Sequence, residues 1–337
     1  MTALAVDLAY RAQQRVLVTT CGLAQRIARR VLLGQREEFS RAELGELQER
    51  WAALLERDLA NVDAGVYPRA LLFQMPLRTY ARRLPALARD LPRVLRRLER
   101  GDWRDLPRDV DLSAYPPYYR RTFHWQSDGY LSRKSAELYD IGVEFLFGGT
   151  ADVMRRQALV PLVRRFAGSE TPPRILDLGC GTGRLLSQLR RALPDAHCIG
   201  LDLSPYYLSV ANDVLAGEPA VELISGNAES IPLPDASVDA VVTVFMLHEL
   251  PRNARRAVWR EAARVLRPGG TFVVVDSVQR DDARQIAYFV ERFANEMHEP
   301  FYRDYLGDDL AAGLRDSGFV VDAVEQAYLA KVVTAHT

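Results

Sequence analysis

The chain has 337 residues, of which 48% are hydrophobic and 26% are charged, a composition that excludes wholesale disorder and predicts a folded core. Lys+Arg and Asp+Glu number 44 each, so no net charge favours nucleic acid or an acidic membrane surface as a partner. The length predicts one domain of ordinary size plus a substantial additional segment.

The cysteines and the N-terminal sequence bear on compartment and metal content. Cys21, Cys180 and Cys198 are too few and too scattered for a disulfide framework. No C-x-x-C pair or Cys/His cluster has the spacing of a tetrahedral metal site, so we expect no metal. The chain also lacks the pattern of a signal peptide and any apolar run long enough to span a membrane. These features predict a cytoplasmic protein.

Residues 1–112 are predicted to form a helical extension. Apolar residues recur there at three- and four-residue spacing, as in Leu44, Leu47 and Trp51, which is typical of amphipathic helices. Ser40 and Glu43 form a Ser-x-x-Glu capping box that predicts the start of the second helix. A third helical stretch is expected from about residue 68 to 100.

An aromatic segment separates this extension from the rest of the chain. Prolines break the helical pattern after residue 101, and Tyr115, Tyr118 and Tyr119 lead into the stretch 123–130. We therefore predict an aromatic linker with covering helices over residues 113–172. From residue 173 to 337, short β-branched runs alternate with helical patterns, which predicts an α/β core built on a parallel sheet.

The strongest single feature is the glycine-rich turn Gly179-Cys180-Gly181-Thr182-Gly183, which lies between a predicted strand and a predicted helix. Glycine lets the backbone approach a ligand closely at the carboxyl end of a strand. A dinucleotide fingerprint would have a third glycine where this chain has Arg184. Asp177, just before the turn, would repel a phosphate and attract a sulfonium or ammonium group.

Two further strand ends carry residues suited to a nucleoside. Asp202 follows the second predicted strand of the core, where an acidic side chain accepts hydrogen bonds from ribose hydroxyls. Asn227 follows the third strand, and its amide could read an adenine edge.

Together these residues carry a family resemblance that covers about half of the chain. Residues 174 to about 335 resemble class I S-adenosylmethionine-dependent methyltransferases of the type 11 group. The family's motifs occur in order at residues 177–183, 200–204, 227–229, 244–250 and 266–270. The resemblance implies an α/β fold with a Rossmann-like, seven-stranded, mostly parallel sheet and helices on both faces, preceded here by an all-helical lid domain.

The resemblance also implies a cofactor, S-adenosyl-L-methionine, and a set of residues that bind it. The glycines of the turn would pack against its methionine and ribose parts, Asp202 would hold the ribose, and Asn227, where many relatives have Asp, would bracket the adenine with its neighbour. The full expected set is Asp177, Gly179, Cys180, Gly181, Gly183, Asp202, Leu203, Asn227, Ala228 and Phe245.

Three regions supply candidate catalytic residues. His248 and Glu249 follow the fourth strand, where they would serve either as a general base or simply as the start of a helix and a cofactor contact. The segment after the fifth strand offers His298, Glu299 and Tyr302 for a substrate pocket, although a surface helix ended by a proline would explain it equally. Tyr130 is the best candidate for an aromatic contact to the sulfonium, with simple packing as the alternative.

The leading functional hypothesis is a methyltransferase for a small molecule, in small-molecule or secondary metabolism, with the helical extension as a lid over the pocket. We expect no nucleic-acid or membrane partner, whereas a homodimer is compatible with the sequence. The chain is also similar to azetidine-2-carboxylate synthases, in which the amine of S-adenosylmethionine displaces its own sulfonium and releases methylthioadenosine. A non-catalytic, cofactor-binding scaffold is the third hypothesis.

Overall fold

The computed structural model describes residues 3–32, 40–124, 126–218, 220–296 and 298–337. Within these ranges the α-helices are α1 (Ala3–Leu32), α2 (Arg41–Asp63), α3 (Leu77–Arg100), α4 (Arg133–Leu146), α5 (Ala151–Arg155), α6 (Leu159–Phe166), α7 (Arg184–Ala192), α8 (Pro205–Val214), α9 (Arg252–Val265), α10 (Ala287–Glu296), α11 (Tyr302–Leu306) and α12 (Leu310–Asp316). The strands are β1 (Arg174–Leu178), β2 (His197–Asp202), β3 (Val221–Ser225), β4 (Val238–Val244), β5 (Leu266–Ser277), β6 (Val320–Ala327) and β7 (Ala330–His336).

In the described part of the chain, all seven strands form one sheet in the order β3-β2-β1-β4-β5-β7-β6. The first five strands are parallel, whereas β7 runs antiparallel to both β5 and β6. Strands β1 and β4 are buried along almost their whole length, as expected when helices cover both faces of a parallel sheet. The predicted Rossmann-like α/β fold is confirmed.

The strand order creates a crevice at the carboxyl ends of the central strands. From β1 the chain passes to β2 on one side, and it later returns to β4 on the other side of β1. Open α/β sheets bind ligands at such a switch point, outside the carboxyl ends of the strands. Asp177, Asp202 and Asp276 all lie at or next to the carboxyl ends of their strands.

The N-terminal helices share their core with the sheet. The capping box is present at the start of α2, where the Glu43 N–H donates to Oγ of Ser40 at 3.1 Å and the Ser40 N–H donates to Oε2 of Glu43 at 3.0 Å. Tyr10 and Leu54 belong to the same cluster of buried side chains as Val241 of the sheet. None of the helices within the described ranges is long and apolar enough to cross a membrane.

A buried ion pair joins these helices to the segment that follows α5. Arg156 and Asp58 are 2% and 0% exposed, and Nε of Arg156 donates to Oδ1 of Asp58 at 2.6 Å. The hydroxyls of Tyr67 and Tyr10 donate to the same carboxylate at 2.6 and 2.5 Å. Asp58 thus holds three different parts of the chain together.

Candidate active site

The glycine-rich turn connects β1 to α7, and its glycines have different surroundings. Gly181 and Gly183 both have left-handed backbone angles, with φ of 54° and 77°, which favour glycine. Among the described residues, a Cβ at Gly181 would meet only Cδ1 of Tyr207 at 4.0 Å, whereas one at Gly183 would lie 2.9 Å from Cδ1 of Leu215. Gly181 therefore leaves room for a ligand, and Gly183 permits close packing between α7 and α8.

A cavity of about 130 Å³ lies over this turn. Nine of the ten residues expected to bind the cofactor line it, and Gly183 does not. We refer to it as the cofactor cavity. Its lining from these residues is Asp177, Gly179, Cys180, Gly181, Asp202, Leu203, Asn227, Ala228 and Phe245.

The carboxylate of Asp202 is fixed by main-chain donors. The Gly181 N–H donates to Oδ2 and the Ser204 N–H donates to Oδ1, both at 2.8 Å. Burial raises the pKa of Asp202 to about 6, although these N–H groups oppose the shift. A carboxylate with two oxygens each held by one donor keeps lone pairs for further donors, such as a pair of hydroxyls.

Asp177 lines the cofactor cavity and has one buried carboxyl oxygen to which no described residue donates. The residue is 2% exposed, and its Oδ2 has no hydrogen-bond partner in the part of the chain that the structure describes. Burial raises the pKa of Asp177 to about 8, against the opposing effect of the Arg155 guanidinium. A cationic ligand group beside Asp177 would satisfy this oxygen and favour its ionised form.

Aromatic rings form one wall of the cofactor cavity, which the glycine-rich turn also lines. Tyr130 packs edge-on against Tyr207, with ring centroids 5.3 Å apart, and stacks on Tyr119 at 5.5 Å. Tyr139 also packs edge-on against Tyr207, at 5.5 Å. The structure thus places Tyr130, the tyrosine singled out from the sequence, among rings that face the turn.

A second cavity of about 510 Å³ adjoins the first. Its walls are mainly apolar and come from the N-terminal region as well as from α4 and α10. Tyr139, Phe245 and Glu249 line both cavities, and so mark the junction between them. Other apolar residues of the second cavity include Leu84, Leu87, Leu91, Leu138, Val143, Phe289 and Phe293.

Glu249 accepts hydrogen bonds from two residues of the aromatic segment at this junction. The Tyr130 hydroxyl donates to Oε1 of Glu249, and Nε2 of His124 lies 3.0 Å from the same oxygen. Through these contacts Glu249, which follows β4, meets Tyr130 and His124, which precede α4. The hydrogen bond from Tyr130 also fixes the position of its ring.

His248 lies beside Glu249, but it lines the second cavity and not the cofactor cavity. Its Nδ1 is 2.6 Å from Oδ1 of Asp276, and the Leu247 N–H donates to Oδ2 of Asp276 at 2.8 Å. Burial lowers the pKa of His248, but Asp276 outweighs burial and raises it to about 9. Asp276 therefore orients the imidazole and leaves its Nε2 free of this contact.

The candidates after β5 occupy different environments. Tyr302 lines the second cavity, and its hydroxyl is 2.5 Å from Oγ of Ser277. His298 lines neither cavity and stacks on Trp103, with ring centroids 3.4 Å apart. Burial, reinforced by Arg121, lowers the pKa of His298 to about 4. The geometry therefore favours the substrate-pocket interpretation for Tyr302 and gives it no support for His298.

The structure also assembles a cluster that sequence spacing did not reveal. His124, His248 and Glu299 each offer one ligand atom, and these atoms lie within 4.8 Å of one another. The expectation of no metal rested on the spacing of cysteines and histidines along the chain, which does not register residues that meet only in the fold.

Several site residues were missed by sequence reasoning. Tyr139 and Tyr207 lie on helices in which aromatic residues are typical of ordinary packing positions. Nothing in the sequence of the aromatic segment distinguished His124 as a functional residue. Asp276 carried a usable signal, because it lies near the carboxyl end of β5, the same position that identified Asp177 and Asp202.

Comparison with known proteins places the sheet domain in a family. Residues 175–270 match a family model described as a methyltransferase domain. A ubiquinone/menaquinone biosynthesis C-methyltransferase from Methylobacterium nodulans is 35% identical over 150 residues, which cover 43% of this chain and 56% of that protein. The chain thus spans little more than half of that relative.

A demethylmenaquinone methyltransferase from Geobacillus sp. strain WCH70 is covered more fully. It is 33% identical over 181 residues, which cover 48% of this chain and 76% of the relative. Among solved structures, a SAM-dependent methyltransferase from Aquifex aeolicus aligns with a TM-score of 0.40 and 22% identity, over 52% of this chain and 87% of that one. On the evidence of the family model and the Geobacillus relative, the chain belongs to the class I S-adenosylmethionine-dependent methyltransferases.

Proposed function

We propose that the protein transfers the methyl group of S-adenosylmethionine to an apolar small molecule held in the second cavity. The observation that carries this proposal is the junction of the two cavities at Tyr139, Phe245 and Glu249. A donor in one cavity and an acceptor in the other would meet there, and alignment of two reactants is itself a large contribution to rate.

The residues of the cofactor cavity suit S-adenosylmethionine. The unpartnered oxygen of Asp177 would take the ammonium group, and Asp202 would accept the ribose hydroxyls. Asn227 and Ala228 would contact the adenine, and the space beside Gly181 would let the ligand lie against the turn. The cofactor supplies a methyl group activated by its positively charged sulfur.

The aromatic wall would contribute attraction and exclusion of water. Ring faces attract a cation, and the attraction grows when water is absent. Tyr130 is held by Glu249, so its ring is already positioned before a ligand arrives. We assign to Tyr130 and Glu249 the task of shaping the transfer position, with Tyr302 and His248 on the acceptor side.

The second cavity, which we call the acceptor cavity from here on, suits an acceptor with a sizeable apolar body. Leu84, Leu87 and Leu91 of α3 form part of its wall, so the helical extension covers the acceptor as well as packing on the core. We propose that this region acts as a lid, which disfavours polymeric substrates. The match to a methyltransferase named for demethylmenaquinone supports an apolar acceptor.

The acceptor cavity also distinguishes methyl transfer from cyclisation of the cofactor. Intramolecular displacement would need no acceptor, and an additional apolar space of about 510 Å³ would then have no use. The space therefore favours a separate acceptor over the azetidine-2-carboxylate reaction and over a non-catalytic scaffold.

Mass spectrometry tests the proposal directly. The protein is incubated with S-adenosylmethionine carrying a deuterated methyl group, first alone and then with an organic extract of cells. We expect S-adenosylhomocysteine and a labelled apolar product only with the extract. Methylthioadenosine formed from the cofactor alone would overturn methyl transfer in favour of cyclisation, and an intact cofactor in both incubations would favour the scaffold.

A further inference from the structure

Two imidazoles and one carboxylate converge at the wall of the acceptor cavity. The side chains of His124, His248 and Glu299 are 17%, 7% and 0% exposed. They come from three separate parts of the chain: the aromatic segment, the turn after β4 and the segment after α10. One ligand atom of each lies within 4.8 Å of the others.

The carboxylate of Glu299 contacts His124 as an ion pair. Both of its oxygens are buried, and no described residue gives either of them an aligned hydrogen bond. Its Oε1 lies 2.6 Å from Nδ1 of His124, an ion-pair distance, and Nδ1 forms no hydrogen bond with any other residue that the structure describes. A buried carboxylate is strongly destabilising unless positive charge and directed contacts compensate its loss of water.

Each imidazole has an outer carboxylate on one nitrogen. Nδ1 of His248 is held by Asp276 at 2.6 Å, and Nε2 of His124 is held by Glu249 at 3.0 Å. This leaves Nε2 of His248 and Nδ1 of His124 for a shared ligand. Histidines that bind metals almost always use their second nitrogen in this way, which fixes the ring and raises its basicity.

From this geometry we propose that His124, His248 and Glu299 bind a divalent first-row transition-metal ion at the wall of the acceptor cavity. Two imidazoles and one carboxylate are the donor set of catalytic zinc sites and of non-haem iron(II) sites. Mg²⁺ and Ca²⁺ prefer oxygen donors, so they fit less well. The inference does not depend on methyl transfer, since it rests on the cluster alone.

The position of the site suggests its use. His124 and His248 line the acceptor cavity, so three protein ligands would leave coordination positions open to that space. An acceptor oxygen bound there would be acidified by the ion close to Glu249, which lies at the junction with the cofactor cavity. The competing explanation is a cluster of ion pairs in which both imidazoles carry protons.

Metal titration of the full chain separates these explanations. After dialysis against a chelator, the protein is titrated with Co²⁺ and followed by its visible absorption, and Zn²⁺ is then added as a competitor. We expect one high-affinity ion per chain. Glu299→Gln, which keeps the shape of the side chain, and His248→Ala should each abolish that binding.

The chain offers matched controls among its other histidines. His197 and His336 lie on β2 and β7, outside the cluster, so His197→Ala and His336→Ala should still bind one ion. Asp276→Asn should weaken binding by about 10- to 100-fold through the orientation of His248. Titration of every variant with S-adenosylmethionine shows whether the cofactor site is still folded.

Two results would overturn the proposal. One is the absence of stoichiometric binding by the unmodified chain, which would leave an ion-paired cluster. The other is binding that the His197 and His336 variants lose while Glu299→Gln retains it, which would indicate adventitious surface binding. If His248→Ala does not fold, Glu299→Gln decides: Zn²⁺ should raise the melting temperature of the unmodified chain and leave that of the variant unchanged.

Discussion

The main-chain N–H of Gly181 donates a hydrogen bond to Oδ2 of Asp202 at 2.8 Å. The contact ties the glycine-rich turn after β1 to the end of β2. A change at Asp202 therefore acts on the shape of the turn as well as on the ribose that we propose it binds.

Asp202→Ala should weaken binding of S-adenosylmethionine by about 1.5–3 kcal/mol, the usual range for hydrogen bonds to a charged group. Calorimetric titration measures the loss. Glu222→Ala, on an exposed position of the neighbouring strand β3, serves as the control and should bind normally. An unchanged affinity of the Asp202 variant would show that this carboxylate does not hold the ribose.

The two glycines of the turn should respond differently to alanine. Both substitutions strain a left-handed backbone by about 1–2 kcal/mol, but only Gly183→Ala forces a Cβ to within 2.9 Å of Leu215. We expect Gly183→Ala to lower the melting temperature further, since overpacking adds about 1–3 kcal/mol. Gly181→Ala should instead show the larger loss of cofactor affinity relative to its loss of stability. Equal ratios in the two variants would contradict this division of roles.

Binding of the cofactor should release a proton near neutral pH. Burial raises the pKa of Asp177 to about 8, so its carboxyl is mostly protonated at pH 7. An ammonium group placed beside it stabilises the carboxylate, lowers the pKa and expels the proton. Calorimetry at pH 7 in phosphate and in Tris should therefore give binding enthalpies that differ with the ionisation enthalpy of the buffer. In Asp177→Asn this difference should vanish, and its persistence would place the released proton elsewhere.

Filling the acceptor cavity should impair turnover and leave cofactor binding intact. Val143 lines this cavity and not the cofactor cavity, so Val143→Phe would occupy space needed by the acceptor. We expect a higher KM for the acceptor identified by labelling, with unchanged affinity for S-adenosylmethionine. Val214→Phe, at an exposed position on α8, is the size-matched control. An unaffected KM would show that the acceptor binds outside this cavity.

The buried Asp58 should matter for stability far more than an exposed aspartate nearby. Asp58→Ala leaves the guanidinium of Arg156, which is 2% exposed, without its carboxylate partner, a change that typically removes about 3–5 kcal/mol. Asp63→Ala breaks an ion pair with Arg69 whose side chains are 58% and 42% exposed, so its effect should be within about 1 kcal/mol. Chemical denaturation compares the two variants. Similar losses would mean that Asp58 does not anchor the N-terminal helices.

The lining of the cofactor cavity was largely predictable from sequence, and the lining of the acceptor cavity was not. Asp177, Gly181 and Asp202 lie in short motifs at strand ends, and a parallel sheet brings such ends together by a general rule. The acceptor cavity is built from α3, α4 and α10, whose apolar residues look like any other core positions in a periodic pattern. His298 illustrates the difficulty, because its neighbour Glu299 joins the cluster while His298 stacks on Trp103.

The sequence by itself determined the α/β alternation, the capped start of α2 and the strand–turn–helix that surrounds Gly181, because each depends on interactions between residues close together along the chain. Only the tertiary structure decided that His124, His248 and Glu299 meet, and that Asp58 receives Arg156. Contacts of this kind depend on how helices and loops pack over the sheet. The periodicity of apolar residues does not indicate which distant residues that packing brings together.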